Sequence, residues 1–392
     1  MKIGFVYGYS EGQVLEKFGK QIAPELATFG ITLHTVDMRD SASFLKNVIE
    51  LAQQDPLFVF GYAGIGSKID VSVNGVVTNL WEQARIPFIS FYGDSPSYVE
   101  ALHIQKSRWE VGLYGFSEHL EYRKTSNPVT GLLGKSPYWN LNLNTNLDYS
   151  HKKNGSLIFL KNNYNHEEII INWEKIQSLE IKNFLLEASD YLISNHSKKS
   201  HADVVLLVDN FLLTLNLFGS GLNNLRNYLV SQLDRFIRGY RANFLAKILL
   251  DYPVQIHGSG WEHLDTTNSV GSIFSDVNYE LSNSYITNAL ATLNISPNTS
   301  GGLHDRHSRS FGAGTLCISN YSSSEVNDLM LPSAASYLLE ESSIRETIEW
   351  ALDNRGEVIE LGKDLAEKMA TNFSLDNGFN SLVEIATIMR TS

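Results

Sequence analysis

Short apolar runs alternate with segments of helical periodicity through most of the chain, and this alternation constrains the fold more than any other feature. In the first half the apolar runs are 2–7, 31–37, 56–62 and 86–92. The segments between them repeat apolar residues at the spacing of a helix face. Strands joined through helices lie parallel, because each connection must cross back over the sheet. The pattern therefore predicts an α/β domain with a doubly wound sheet.

The alternation stops and then resumes. Between 123 and 155 the sequence is dominated by Asn, Ser, Thr, Gly and Pro, which predicts a boundary near residue 150. A strand at 156–162 and a βα series from residue 253 follow. We therefore predict two Rossmann-like doubly wound lobes facing a central cleft, since such sheets bind ligands at the carboxyl ends of their strands. The predicted domains are 1–150 and 151–392, the second with a helical insertion at 168–250 and helices at its end.

Composition excludes several classes of protein. The 392 residues carry a net charge of −12, which repels phosphate backbones and makes nucleic acid an unexpected partner. Cys317 is the only cysteine, so an internal disulfide is impossible and a reducing, cytoplasmic location is expected. The start lacks the pattern of a signal peptide, and the most apolar later stretch, 204–218, contains polar residues. We therefore expect no membrane span.

The most informative segment runs from Asn294 to Arg309 and reads NISPNTSGGLHDRHSR. A strand is predicted to end near Asn298, and a helix to begin near His304 after the Gly301-Gly302 turn. Free N–H groups at a helix start favour an anion. Arg306 and Arg309 add guanidinium groups that suit phosphate. A capped helix with solvated arginines is the alternative interpretation.

Two further segments follow predicted strands at their carboxyl ends. The first is His257-Gly258-Ser259-Gly260-Trp261, whose glycines would let a nucleotide approach and whose indole would either stack on it or pack in the core. The second contains Asp94, a candidate general base or simply a turn-forming aspartate. Gly-X-Gly alone is also typical of a structural turn.

A metal site is not expected. His304 and His307 have no evident third ligand, and the sequence contains neither HExxH nor an Asp-X-Asp triplet. Cations and helix ends would therefore have to neutralise any bound phosphate.

The chain resembles the CgeB-like (spore-maturation-protein-like) glycosyltransferases of the GT-B architecture. The resemblance rests on IPFISFYGDSP, LIFLKNN, the run from LDRFIRGYR to HGSGW, and LNISPN followed by GGLHDRHSRSFGAGTLCISN. It implies a nucleotide-sugar donor on the second lobe, an acceptor on the first, and no metal. Carried over, Gly258, Ser259 and Gly260 would lie beside the nucleotide. The residues implied beside the diphosphate and sugar are Gly301, Gly302, His304, Asp305 and Arg306.

One departure from the wider architecture is notable. Many retaining members carry two glutamates eight positions apart, and the matching positions here are Gly301 and Arg309. Either Arg309 neutralises phosphate instead, or the nucleotide is held in another way.

These observations predict a metal-independent glycosyltransferase that moves a sugar from a nucleoside-diphosphate sugar to a hydroxyl acceptor on a glycan, lipid-linked glycan or protein. Arg306 and His304 would act on the donor, and Asp94 as general base. His257, Trp261, Asn298 and Arg309 are further candidate donor-binding residues. A non-catalytic nucleotide- or sugar-binding protein and a nucleotide-sugar epimerase are the alternatives.

Overall fold

The structure, a computed structural model, describes residues 1–10, 13–137, 148–198, 200–215, 222–296, 298–299, 301–322, 329, 331–372 and 374–391. It contains two compact units, one formed by Met1–Trp139 with Ser374–Ser392 and the other by Asn140–Phe373. Each unit has a parallel sheet flanked by helices, which confirms the predicted α/β class with two doubly wound lobes.

The first unit is built on a six-stranded sheet. Its strands are β1 (Lys2–Tyr7), β2 (Thr32–Asp37), β3 (Val59–Tyr62), β6 (Phe88–Tyr92), β7 (Glu110–Tyr114) and β8 (Leu132–Lys135). They run parallel in the order β2-β1-β3-β6-β7-β8. Every residue of β6 and β7 is buried, as expected for central strands covered on both faces. The strand order reverses between β1 and β3.

A small hairpin and, in the part of the chain that the structure describes, six helices complete this unit. The hairpin strands are β4 (Asp70–Val73) and β5 (Val76–Asn79), and the helices are α1 (Val14–Thr28), α2 (Phe44–Gln53), α3 (Leu80–Ala84), α4 (Glu100–His103), α5 (Ser117–Ser126) and α14 (Leu375–Thr391). The segment just before the apolar run 86–92 is therefore part strand, β5, and part helix, α3, rather than helix alone. Asn74 and Gly75 both have positive φ, the backbone that a tight hairpin turn requires.

The last helix, α14, belongs to the first unit, whereas the predicted second lobe extended to residue 392. Phe379 is 1% exposed and contacts the rings of Phe58 and Phe60, with centroid distances of 6.4 and 6.0 Å. Arg390 Nη1 donates to Pro56 O at 2.9 Å, and its other amine pairs with Asp55. The packing of α14 on the first sheet was not predictable from the sequence, because the pattern of an amphipathic helix does not show which sheet the helix covers.

The second unit is built on a five-stranded parallel sheet. Its strands are β9 (Leu157–Leu160), β10 (Val254–His257), β11 (Ser272–Phe274), β12 (Ala291–Asn294) and β13 (Leu316–Ser319). Their order is β11-β10-β9-β12-β13, so the direction of winding switches between β9 and β12. In sheets of this kind, ligands bind in the crevice outside the carboxyl ends of the strands at that switch.

Eight helices cover this sheet among the described residues. They are α6 (His166–Trp173), α7 (Leu179–Ser194), α8 (His201–Thr214), α9 (Asn223–Leu249), α10 (Tyr279–Asn288), α11 (Asp305–Gly312), α12 (Glu341–Asp353) and α13 (Arg355–Asn372). Helices α6 to α9 form the predicted insertion. Much of α9 is buried, because it packs against α6, α7 and α8 as well as the lobe. No described helix has the length and apolarity needed to cross a bilayer.

Candidate functional site

The switch point of the second sheet brings together residues that are distant in sequence. Lys161 is the first residue after β9, and its N–H donates to His257 O at 2.9 Å, which extends the pairing with β10. The segment after β12 leads into α11, which begins at Asp305. The N-terminus of α11 presents backbone N–H groups and the positive end of the helix dipole.

Lys161, Arg238 and Arg306 interact electrostatically in this crevice. Burial, followed by the positive charges of Arg306 and Arg238, holds the pKa of Lys161 well below its usual range, although Asp305 acts in the opposite sense. Among the described residues the Lys161 ammonium has no hydrogen-bond or ion-pair partner, whereas Arg306 Nη1 donates to Asn294 Oδ1 at 3.1 Å. Arg238 Nη1 lies 3.7 Å from Asp234 Oδ2, and Asp305 is the second carboxylate that acts on Lys161. Three cations therefore face two carboxylates, and this excess of positive charge suits a bound anion.

His304 and His307 organise the start of α11. The N–H of His304 donates to Nδ1 of His307 at 3.0 Å, and Nε2 of His307 lies 3.0 Å from Asn294 Nδ2. His307 is fully buried and stacks on Tyr321 with centroids 4.8 Å apart. Burial lowers the pKa of His307 to about 3, so the ring stays neutral and keeps this cap at physiological pH.

The His304 ring has two candidate partners. Its Nδ1 lies 2.5 Å from Asp305 Oδ1 and 3.3 Å from the N–H of Arg306. One nitrogen cannot donate to the first and accept from the second, and the shorter contact favours a protonated Nδ1 that donates to Asp305. Burial lowers the pKa of His304, an effect that Asp305 opposes. A neutral ring with its proton on Nδ1 leaves Nε2 as a hydrogen-bond acceptor.

Gly258, Ser259 and Gly260 position Lys161. A Cβ on Gly258, where φ is +153°, would lie 2.0 Å from Lys161 O, and a Cβ on Gly260, where φ is +79°, would lie 2.1 Å from Asn163 O. Ser259 O accepts from Asn163 N at 2.9 Å. The close approach of the two backbones therefore explains these glycines without any ligand, and fixes the chain beside Lys161.

Two residues predicted to contact the donor are buried side chains. Trp261 is 2% exposed, packs near Phe159 in the core, and donates from Nε1 to Lys161 O at 2.9 Å. His257 is 4% exposed and lies between the rings of Phe274 and Tyr285, with centroids at 4.8 and 4.5 Å. Their positions correct the prediction that they touch the donor, since hydrophobic packing already covers both rings.

Of the other predicted residues in the segment between β12 and α11, the two glycines lie near His304 and Asn298 lies against the helical insertion. Gly301 and Gly302 lie three and two residues before His304, and Gly302 is buried. Asn298 is 3% exposed and points to the insertion, where its Oδ1 accepts from Arg241 Nη1 at 2.5 Å.

Arg309 is held by α10 rather than by the crevice. It donates from Nε to Asn283 Oδ1 at 2.9 Å, contacts Ser282, and lies over the Tyr279 ring at 4.6 Å. This clamp between α10 and α11 corrects the expectation of a free guanidinium at the phosphate.

Asp94 lies in the first unit. It is exposed, two residues after the carboxyl end of β6. This is a position where a carboxylate can meet a ligand. Among the described residues, no three His, Cys, Asp or Glu side chains come together as a metal site.

Lys161 and Arg238 are not among the site residues that the sequence predicts. Lys161 carried a signal, because it directly follows the buried run LIFL at the place where α/β sheets bind ligands. Arg238 carried none, since nothing in the sequence separates it from Arg235 or Arg241 on the same long helix.

The sequence matches no family model and no curated protein. Solved structures do match along the whole chain. T4 phage BGT in complex with its UDP-glucose substrate superposes with a TM-score of 0.52 at 8% identity, covering 100% of this chain and 98% of that one. The chain has the GT-B fold.

Two other glycosyltransferases of this fold superpose equally well. One is an alpha-glucosyltransferase in complex with UDP-glucose and DNA containing an abasic site, with a TM-score of 0.53 and 11% identity over 99% of both chains. The other is sucrose-phosphate synthase from Thermosynechococcus elongatus, with a TM-score of 0.51 and 8% identity over 100% of both chains.

Proposed function

We propose that this protein is a glycosyltransferase that moves a sugar from a nucleoside-diphosphate sugar to a hydroxyl acceptor without a metal ion. The observation that carries the proposal is the group formed by Lys161, Arg238 and Arg306 beside the start of α11, in a chain whose net charge is −12. Glycosyltransferases bound to UDP-glucose share the fold, which supports the same donor class.

The cations would act on the leaving group. As the bond between the anomeric carbon and the phosphate oxygen breaks, negative charge grows on the diphosphate. Lys161, Arg238 and Arg306, with the N–H groups that begin α11, would stabilise that charge more strongly in the transition state than in the bound substrate. This arrangement replaces the divalent ion that other enzymes use for the same purpose.

His304 and Asp94 complete the proposal. Nε2 of the neutral His304 ring would accept a hydrogen bond from a hydroxyl of the donor sugar. Asp94 would take the proton from the acceptor hydroxyl while the oxygen of that hydroxyl forms its bond to the anomeric carbon. We retain the CgeB-like resemblance as the finer family assignment, and a cytoplasmic location stays a prediction.

The decisive test replaces Arg306. We expect Arg306→Ala to lower sugar transfer by about 10²–10³-fold with an unchanged melting temperature, because one charge-stabilising group is lost. Arg235→Ala, which removes an exposed cation from α9, is the matched control and should keep full activity. Donors would be screened by mass spectrometry of products, which also separates transfer from epimerisation, where the mass is unchanged. Sugar transfer by Arg306→Ala at the rate of the unmodified protein would contradict the role proposed for Arg306.

DNA is a second candidate acceptor, although the acidic composition argued against nucleic acid. The observation in its favour is that neighbours of this fold have been solved with DNA, including a 13-mer with an HMU base. The test offers UDP-glucose with that oligonucleotide and with its thymine counterpart. Transfer of glucose to the HMU oligonucleotide alone supports a DNA acceptor. Transfer to neither oligonucleotide leaves glycans, lipid-linked glycans and proteins as the candidate acceptors.

A further inference from the structure

A polar cavity of about 380 Å³ lies in the second unit, on the insertion side of the segment that follows β12. Its walls come from the carboxyl ends of β12 and β13, from α9 and from the turn between α7 and α8. The residues used below are Lys198, Arg241, Asn298, Thr299, Asn320 and Tyr321. Lys161, Arg238 and Arg306 do not line it, so it is separate from the proposed donor site.

The inner wall is rigid and polar. Arg241 is 5% exposed, and its Nε and Nη2 donate to His196 O at 2.8 and 2.5 Å. Its Nη1 donates to Asn298 Oδ1 at 2.5 Å, and Asn298 O in turn accepts from the N–H of His201. The guanidinium is therefore fixed before any ligand arrives, which reduces the entropy lost on binding.

The charge of the lining is positive. Lys198 and Arg241 line the cavity, and no carboxylate of a described residue does. The Lys198 side chain is exposed, and its ammonium makes no hydrogen bond or ion pair with another described residue. The two acidic groups behind the wall are engaged, since Asp234 accepts from Asn298 at 3.2 Å and Asp203 accepts from the N–H of Ser200 at 2.8 Å.

Hydroxyl and amide groups make up most of the remaining surface. Thr299 and Asn320 come from the sheet side, serines come from the insertion, and Tyr321 supplies an aromatic ring. Such groups recognise polyhydroxylated compounds, and a volume near 400 Å³ suits a small molecule. The two cations add a requirement for negative charge.

We propose that this cavity is a second ligand site that binds a small polyhydroxylated compound carrying a phosphate monoester. Lys198 and Arg241 pair with the phosphate, and Thr299 and Asn320 bind hydroxyl groups. The site adjoins the donor crevice through Tyr321, which stacks on His307, the residue that caps α11. The proposal does not depend on the transferase activity.

Titration calorimetry on the full chain tests this site with glucose 6-phosphate, glucose and inorganic phosphate as probes. We expect glucose 6-phosphate to bind, inorganic phosphate to bind more weakly, and glucose to give no heat. Lys198→Ala should weaken glucose 6-phosphate binding about tenfold, the effect of losing one charged hydrogen bond. Lys175→Ala, at an exposed lysine of the same insertion, should bind as the unmodified protein does.

Two more variants make the outcome unambiguous. Asn320→Asp keeps the oxygen that accepts from Ser296 N at 2.8 Å but adds a negative charge, and should abolish binding. Arg306→Ala should bind glucose 6-phosphate normally even if nucleotide-sugar binding fails, so the two proposals fail separately. Equal binding of glucose, equal binding of inorganic phosphate, no effect of Lys198→Ala, or loss of binding in Arg306→Ala would each overturn the proposal.

Discussion

At the scale of single residues, the protein buries ionisable groups whose charge state depends on their surroundings. Glu110 at the start of β7 is 3% exposed and accepts from the N–H of Lys106 at 3.2 Å. Burial raises the pKa of Glu110 to about 7, while Lys68, Lys106 and Arg123 act to lower it. The folded state therefore prefers a protonated carboxyl, whereas the unfolded chain ionises near its ordinary pKa of 4.5.

We predict that Glu110→Gln stabilises the protein at pH 8 but not at pH 4. A raised carboxyl pKa contributes stability below about pH 4.5, and that contribution disappears as the pH rises through about 7. The gain at pH 8 should be about 3 kcal/mol, since the pKa rises from 4.5 to about 7 and one pKa unit corresponds to about 1.4 kcal/mol. Thermal melts at both pH values measure it, with the exposed Glu121→Gln as control. Equal melting temperatures of Glu110→Gln and Glu121→Gln at pH 8 would contradict the raised pKa of Glu110.

Single residues also show the limits of reasoning from sequence. The glycines, histidines and arginines of 257–261 and 301–309 were identified from their positions after apolar runs, and the segment before α11 does lie at the switch point. The sequence does not show that Trp261 faces the core or that α10 holds Arg309. Those outcomes depend on residues that are close in space and far along the chain, such as Lys161 and Tyr279.

At the scale of elements, strands and helices with strong local periodicity were predictable and short edge elements were not. The runs that became β1, β6 and β9 are apolar and continuous because both faces of a parallel sheet are covered. β11 has only three residues, with two exposed, and is too short to show a pattern. The Asn74-Gly75 turn of the hairpin was a usable signal, because positive φ at both positions is typical of a two-residue turn.

We predict that Gly258→Ala disrupts the pairing that extends β9 and β10 past their ends. The added Cβ would lie 2.0 Å from Lys161 O, so the two backbones must separate. We expect a loss of about 1–3 kcal/mol in unfolding free energy and weaker nucleotide-sugar binding, because Lys161 moves with its backbone. Thermal melting and titration calorimetry measure the two effects.

Gly356→Ala is the control for that substitution. Nothing lies within 4 Å of a Cβ built there, in α13, and alanine favours the helix. The control should therefore melt at or slightly above the temperature of the unmodified protein. A Gly258→Ala protein with unchanged melting and binding would show that the two backbones are not held together at this point.

At the scale of the whole molecule, the first unit is discontinuous in sequence. Residues 374–391 cover one side of a sheet formed from the first 139 residues, and Phe379 is their main buried contact with Phe58 and Phe60. We predict that Phe379→Ala lowers the unfolding free energy by about 3–5 kcal/mol, as for other large buried aromatic side chains.

Limited proteolysis followed by mass spectrometry is the measurement. Cleavage should increase first within 1–139 and leave the second unit resistant, since its own core does not include Phe379. Ile388→Ala, at an exposed position of the same helix, is the control. An equal loss of resistance to proteolysis in both units would contradict the division of the chain into two separate cores.

The return of α14 has a consequence for synthesis on the ribosome. Domains usually fold in the order in which they emerge, the first one first. Here residues 1–139 leave the exit tunnel while Phe58 and Phe60 lack their contact with Phe379, and they stay so until α14 is translated. The second unit can therefore finish folding before the first one does. A nascent chain stalled before residue 374 would expose hydrophobic surface that chaperones can bind.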